Sequence, residues 1–268
     1  MTPPVQHASP GFGTRFLERR CHNGRVVTYR DTAVVLRTHN LGEADRIISL
    51  LTRHHGKVRA VAKGVRRTGS RFGGRLEPFM YVDLQLHRGR NLDTVTQAQT
   101  VTAYAGPICR DYPAFTAASA IAETAEKLTP IERDPATPLF WLTTGAFGAL
   151  ARGQYRSALV LDSFLLRSLA LAGYAPSFDQ CATCSAPGPH KFFSPSAGGM
   201  VCDNCRPAGS TAPVAETVEL LGALLSGDWP LVETASSTAL AQAPGMVAAF
   251  VQWHIERAIK ALRLVERP

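Results

Sequence analysis

Cys181, Cys184, Cys202 and Cys205 form two C-x-x-C knuckles with seventeen residues between them. Each knuckle offers two thiolates from one tight turn, and the intervening loop lets the two pairs converge, which is the ligand spacing of a tetrahedral zinc. Four sulfurs fill all four coordination positions, whereas a catalytic zinc keeps one open for water. One structural Zn2+ is therefore expected, and a metallohydrolase is not. Two disulfides are the other chemistry open to four cysteines, but nothing in the chain points to export into an oxidising compartment. An iron–sulfur cluster is a third. Cys21 and Cys109 have no partner at ligand spacing and read as ordinary thiols.

A second concentration of chemistry runs from Lys63 to Arg75. Lys63, Arg66, Arg67, Arg71 and Arg75 are five cations in thirteen residues, interleaved with glycines and one aromatic, Phe72. A solvated charged loop is the plain reading of such a run. The functional one is a surface for a polyanion: cations track phosphates, glycines let the backbone approach, and Phe72 offers a stacking face or else pins the loop to a core. Further cations flank the run at Arg53, Lys57, Arg59, Arg88 and Arg90, and Tyr81 is a weaker stacking candidate. Contacts of this kind go mostly to phosphate, so binding should fall steeply with salt and depend little on base sequence.

Charge is spread unevenly. Residues 1–27 carry +3, residues 28–103 carry +7 and residues 104–268 carry −2. A basic first half on a near-neutral second half points to nucleic acid as the partner of the first.

Other chemistry is absent. Gly56-Lys57 is followed by Val58 and has no glycine five residues before it, so there is no P-loop. His254-Ile-Glu256 matches the H-x-E of zinc deaminases, but it follows the cysteines, and neither cysteine pair is preceded by proline. His54, His55 and His190 read as solvated loop residues. Without an acid/base constellation, no catalytic residue is assigned and the protein is read as a non-enzyme.

The elements that position these groups fall into two kinds. Thr32–Thr38, Arg46–Arg53, Lys57–Lys63, Phe79–His87 and Leu92–Val101 read as five short strands without intervening helices, which points to a small barrel of the OB type. From there the period becomes helical: Phe115–Leu128 behind Tyr112-Pro113, then Leu139–Ala151, Ser157–Leu171, Val214–Leu225 and Met246–Leu264. The expected organisation is α+β: a basic tail at 1–28, a five-stranded OB-fold barrel at 29–105, and a helical domain at 106–268. That domain carries the four-cysteine zinc module at about 178–206. No apolar run reaches the roughly 18–20 residues that span a bilayer, and the arginine-bearing tail lacks the apolar core of a secretory signal, so no membrane role and a cytoplasmic location are expected.

With barrel, basic run and knuckles assembled, the chain resembles the bacterial RecO family of recombination mediators. The match is carried by Tyr29-Arg30-Asp31 with AVVLR, by LGEADRI at Leu41–Ile47, by the whole stretch Val61–Phe79, and by GRNLDTVTQ at Gly89–Gln97. It continues more loosely to about Leu264, and only the tail before Tyr29 falls outside it. The resemblance implies a DNA repair protein that binds single- and double-stranded DNA, anneals strands coated with single-strand binding protein (SSB), and works with RecR to load RecA, near the nucleoid and without nucleotide hydrolysis. It maps the DNA surface onto the cations from Lys57 to Arg75 and near Arg88, and the metal ligands onto the four cysteines. It also implies a contact between the helical domain and the acidic, apolar-ended tail of SSB, for which Arg152, Arg156 or Arg167 is a candidate cation. The reading from another class is a zinc-stapled RNA-binding or translation-associated protein that uses the same barrel surface.

Overall fold

The structure is a computed structural model, and it describes residues 27–255. Five strands, β1 (Thr28–Leu41), β2 (Asp45–Thr52), β3 (Gly56–Ala62), β4 (Met80–His87) and β5 (Asp93–Ala103), close in the order β1-β2-β3-β5-β4. This is the OB arrangement. β1 is longer than its β-branched centre suggested, because its first half pairs with β4 (Thr28 opposite His87) and its second half with β2 (Leu41 opposite Asp45). The closing contact, between β3 and β5, is parallel and short, joining Ala60 and Val61 to Asp93 and Thr94.

Two kinds of strand pattern reflect two environments. β3 and β4 alternate buried and partly exposed residues, so only one of their faces meets a core. β1 and β2 instead contain the unbroken buried runs 33–36 and 48–52. Ala33, Val35, Ile48 and Leu50 fill the barrel, whereas Val34, Leu36 and Leu51 point outward into the helical core. A strand covered on both faces cannot show polar alternation.

The helices that cover them are α1 (Ala105–Ile108), α2 (Tyr112–Lys127), α3 (Thr137–Arg152) and α4 (Ser157–Leu171). Pro113 and Pro138 occupy first-turn positions of α2 and α3, where a missing N–H costs nothing, and Gly153 ends α3 in the left-handed region. A small ribbon, β6 (Phe192–Ser194) and β7 (Gly199–Val201), follows and carries the knuckles. α5 (Ala215–Ser226), α6 (Trp229–Glu233) and α7 (Ser237–His254) complete the described chain. α7 begins nine residues before the expected Met246, capped by the Ser236 hydroxyl accepting from the Ala239 N–H. Pro244 lies inside it instead of preceding it. The expected continuation to Leu264, like the tail at 1–26, lies outside the described residues.

Barrel and helices share one core. Val34, Leu36, Leu51 and Phe79 pack with the residues of α2, α3 and α4, and Phe79 meets Phe147 edge-on at 5.4 Å. Polar contacts edge this seam: Ser49 Oγ donates to Glu126 at 2.8 Å, Thr137 Oγ1 to the Arg53 carbonyl at 2.7 Å, and the Arg53 guanidinium lies 5.0 Å over Trp141. At Gly56, with φ +62°, a Cβ would fall 1.7 Å from the Asp134 carbonyl, so the chain between α2 and α3 seats against the β2–β3 turn only because this residue is glycine.

Candidate nucleic-acid interface and metal centre

The basic segment follows β3 and folds over the end of the barrel where the β1–β2 hairpin turns. The Arg66 N–H donates to the Ala44 carbonyl at 3.0 Å, and the Gly64 N–H donates to Asp45 at 2.7 Å. Val65, Phe72 and Leu76 point inward and join the barrel core, the last on a single 3-10 turn at Gly73–Leu76. Lys63, Arg66, Arg67, Arg71 and Arg75 alternate with them and are exposed. Among the described residues, none of these five makes an ion pair. The segment is therefore a plug with a charged outer surface.

Two expectations are corrected. Phe72 is 1% exposed and has no face to offer a base; its ring seals the barrel beneath the Arg71 guanidinium, 4.9 Å from the ring centroid. Tyr81, the weaker stacking candidate, packs edge-on against Phe140 of α3 at 5.9 Å. Lys57 and Arg59 do not extend the free cationic surface either. Arg59 pairs with Glu132, and the Lys57 ammonium reaches the Glu126 carbonyl at 3.5 Å, because the outward face of β3 is turned toward the α2–α3 connection. Of the strand face that OB-folds commonly offer to oligonucleotides, the β2 part is packed here against the chain's own helices through Leu51. Arg88 and Arg90 are exposed, but on the β4–β5 connection at the other end of the barrel, where the Arg88 N–H donates to the Val27 carbonyl at 2.8 Å.

The four cysteines converge. Their sulfurs all lie within 4.8 Å of one another, and Cys184 and Cys202 are 3.9 Å apart. A tetrahedral zinc with bonds of about 2.3 Å needs sulfur–sulfur edges of about 3.8 Å, so the cluster fits the ion with small adjustments. All five cysteines among the described residues are free. The turns are built for thiolate: the Cys202 N–H donates to the Cys181 sulfur at 3.4 Å, and N–H groups of Cys202, Cys184 and Thr183 hold Cys181 down to about 6. Hydrogen bonds to Cys202 and Cys184 push Cys205 up to about 12, since adjacent thiolates repel until a cation joins them. No carboxylate or histidine joins the cluster among the described residues. His190 instead bonds the Ala186 carbonyl at 2.9 Å. His254 lies between Tyr174 and Phe250, burial lowering its pKa, and Glu256 lies outside the described residues.

The ribbon is anchored where it must be. Phe193 and Met200 sink into the helical core, and Gly199 passes so close to Ser177 that a Cβ would stand 2.2 Å from its carbonyl oxygen.

Residues 26–104 match the family model "Recombination protein O N terminal" and residues 109–263 match "Recombination protein O C terminal". The chain belongs to the RecO family. A Nocardioides relative described as "DNA repair protein RecO" is 56% identical over 242 residues, covering 89% of this chain and 99% of the relative. A Thermobifida fusca relative of the same description is 54% identical over 239 residues, covering 89% and 98%.

Two features escaped sequence reasoning. A groove of about 710 Å³ opens between α3, α4 and α6, lined by Trp141 and by Tyr155 stacked on Trp229 at 4.2 Å, with Arg152 and Arg167 on its wall and Arg156 outside it. The other is a buried carboxylate, Asp31, which accepts from both His54 Nδ1 at 2.9 Å and His55 Nδ1 at 2.7 Å. Adjacent histidines in a turn carry no signal for a partner twenty-three residues upstream.

Proposed function

We propose that this RecO-family protein is a non-enzymatic, cytoplasmic DNA repair mediator that binds single- and double-stranded DNA and anneals complementary strands coated with SSB. With RecR it then promotes loading of RecA. The observation that carries the DNA-binding part is the plug at Lys63–Arg75, five exposed cations without acidic partners, held in place by three buried side chains. Fixed cations of this kind meet phosphates without first breaking ion pairs of their own. Lys57 and Arg59 act in the seam, and Phe72 supports the plug from beneath. The family membership and the relatives named for DNA repair support the cellular role.

The groove on the helical domain is the place where an SSB tail would dock: its aromatic walls suit an apolar end, and Arg152 and Arg167, which make no ion pair among the described residues, suit a carboxylate. The ion held by the four cysteines is one structural Zn2+, which ties the ribbon down and takes no part in strand pairing.

The test is annealing of complementary DNA strands precoated with SSB, without ATP, by wild type and by the triple reversal R66E/R67E/R71E. Annealing by wild type and its loss in the variant is expected, together with weaker DNA binding and a flatter salt dependence. Failure of folded, zinc-loaded wild type to anneal, with tighter binding to RNA than to DNA, would favour the RNA-binding alternative.

A further inference from the structure

The barrel end opposite the plug carries a second constellation. Asp31, on β1, is 3% exposed, and its two carboxylate oxygens are divided between neighbouring histidines of the β2–β3 turn. Oδ1 takes His54 Nδ1 and the Thr32 N–H, and Oδ2 takes His55 Nδ1 and the His54 N–H. Because each Nδ1 faces the carboxylate, each Nε2 faces away from it, and the two side chains are 58% and 41% exposed. Burial alone would raise the Asp31 carboxyl, yet the bonds from His55 and His54 hold it below the ordinary carboxylate range, so it stays an anion beneath the rings.

This arrangement is tied to cations on neighbouring loops. The Tyr29 ring lies 4.7 Å from that of His55, and its hydroxyl donates to buried Asp93. Asp93 also accepts from Arg133 at 2.6 Å and from the Gly89 N–H at 3.0 Å, which places Arg88 and Arg90 on either side of the same chain of contacts. Arg53 adjoins His54 in the turn. Arg53, Arg88 and Arg90 make no ion pair among the described residues. The charged and titratable groups around the histidines are thus Tyr29 and Asp31 from β1, Arg53 from the turn and Lys57 from β3. His87 and the two arginines come from β4 and its connection, Asp93 from β5, and Arg133 and Asp134 from the α2–α3 connection. Each buried acid here already has basic partners, so a proton gained by either imidazole adds cationic charge at the surface.

We propose that His54 and His55, aimed by Asp31, form a second phosphate-contact site with Arg53, Arg88 and Arg90, one that strengthens as the histidines gain protons. The inference rests on the reading that the chain binds nucleic acid, and it gives the barrel two phosphate surfaces at opposite ends instead of one. An imidazolium whose Nδ1–H is held by a carboxylate presents Nε2–H as an oriented donor, and a phosphate oxygen is its natural acceptor.

The experiment measures the affinity of the zinc-loaded full chain for an oligothymidylate at fixed salt, at pH 6.0 and pH 8.0, a range over which histidines change charge. Wild type should bind about tenfold more tightly at the lower pH, the effect expected from one to two added phosphate contacts. In H54Q/H55Q that ratio should fall to about twofold or less, while the control H39Q, at an exposed residue near the end of β1, should keep it. Because the change also takes both imidazole donors from buried Asp31, a melting curve of H54Q/H55Q checks that the variant is folded at both pH values; in wild type, NMR signals of the two Nε2 atoms should also shift on adding the oligonucleotide. R66E/R67E/R71E should weaken binding at both pH values and preserve the ratio. A ratio unchanged in H54Q/H55Q, with silent Nε2 signals, overturns this site and leaves the proposed function standing. No binding by wild type at either pH overturns both.

Discussion

Phe72 shows how one side chain can decide what a charged segment is. Its ring lies with Val65 and Leu76 in the barrel core, and the arginines around it point outward as a consequence. Phe72→Ala should leave a cavity and cost about 3–5 kcal/mol of stability, as large-to-small core changes do. Phe72→Leu should keep most of the stability and most of the DNA affinity, measured by thermal melts and anisotropy. A base-stacking role would predict the reverse, affinity lost in both variants. Asp31 is the second residue whose burial sets an outcome. Its carboxyl is held below its ordinary value, so its contribution to stability is complete above about pH 4 and fades as pH falls through the depressed value. The melting temperature of Asp31→Asn should therefore lie furthest below wild type near neutral pH, with the gap closing toward pH 3.

The four-cysteine cluster was legible from spacing alone, because ligand pairs three residues apart state their chemistry without reference to the fold. The ribbon beside it is a short element, two three-residue strands joined to the helices by Phe193 and Met200, so the proposed ion should supply much of its stability. Cys184→Ser with Cys202→Ser should release the ion in a colorimetric assay and lower the melting temperature of the protein, with a smaller effect on DNA affinity than the arginine reversal has. Full stability in the metal-free variant would remove the staple. Other elements were readable to different depths. α4 runs over Ser157–Leu171 as its apolar period indicated, whereas α7 starts at Ser237, since a proline in the eighth position reads as a break when only local propensity is weighed. The arginines of the plug could be picked out in the sequence, but the inward turn of Phe72 could not, because an aromatic among glycines and arginines has the same local pattern whether it faces solvent or core. The partners of Lys57 and Arg59 were hidden for a tertiary reason. Nothing within β3 says that Glu126 and Glu132, some seventy residues later, will meet its outer face.

At the scale of the molecule, the helices act as the barrel's second wall. Val34, Leu36, Leu51 and Phe79 are buried apolar residues of the first half, yet they face away from the barrel interior and into α2, α3 and α4. Each is worth about 1.5–3 kcal/mol when buried, and all four would be returned to water if the halves separated. The seam also contains Arg59 with Glu132, Arg133 with Asp93 and Ser49 with Glu126, so separation would leave Asp93, at 0% exposure, without its guanidinium. Loss of one partner from a buried charged pair is strongly destabilising. The two halves should consequently unfold together: heating the full chain should give one calorimetric transition whose van't Hoff and calorimetric enthalpies agree. A fragment containing residues 27–104 alone should aggregate or melt far below the full chain. A barrel fragment that melts at the full chain's temperature would show that the helices merely adjoin it. The coupling bears on the proposed function, because the helices cover the outer side of β1 and β2 at Val34, Leu36 and Leu51 and leave the plug exposed. Arg133→Ala, which strikes the seam without touching the plug, should then lower the temperature of the single transition and leave the R66E/R67E/R71E effect on affinity unchanged.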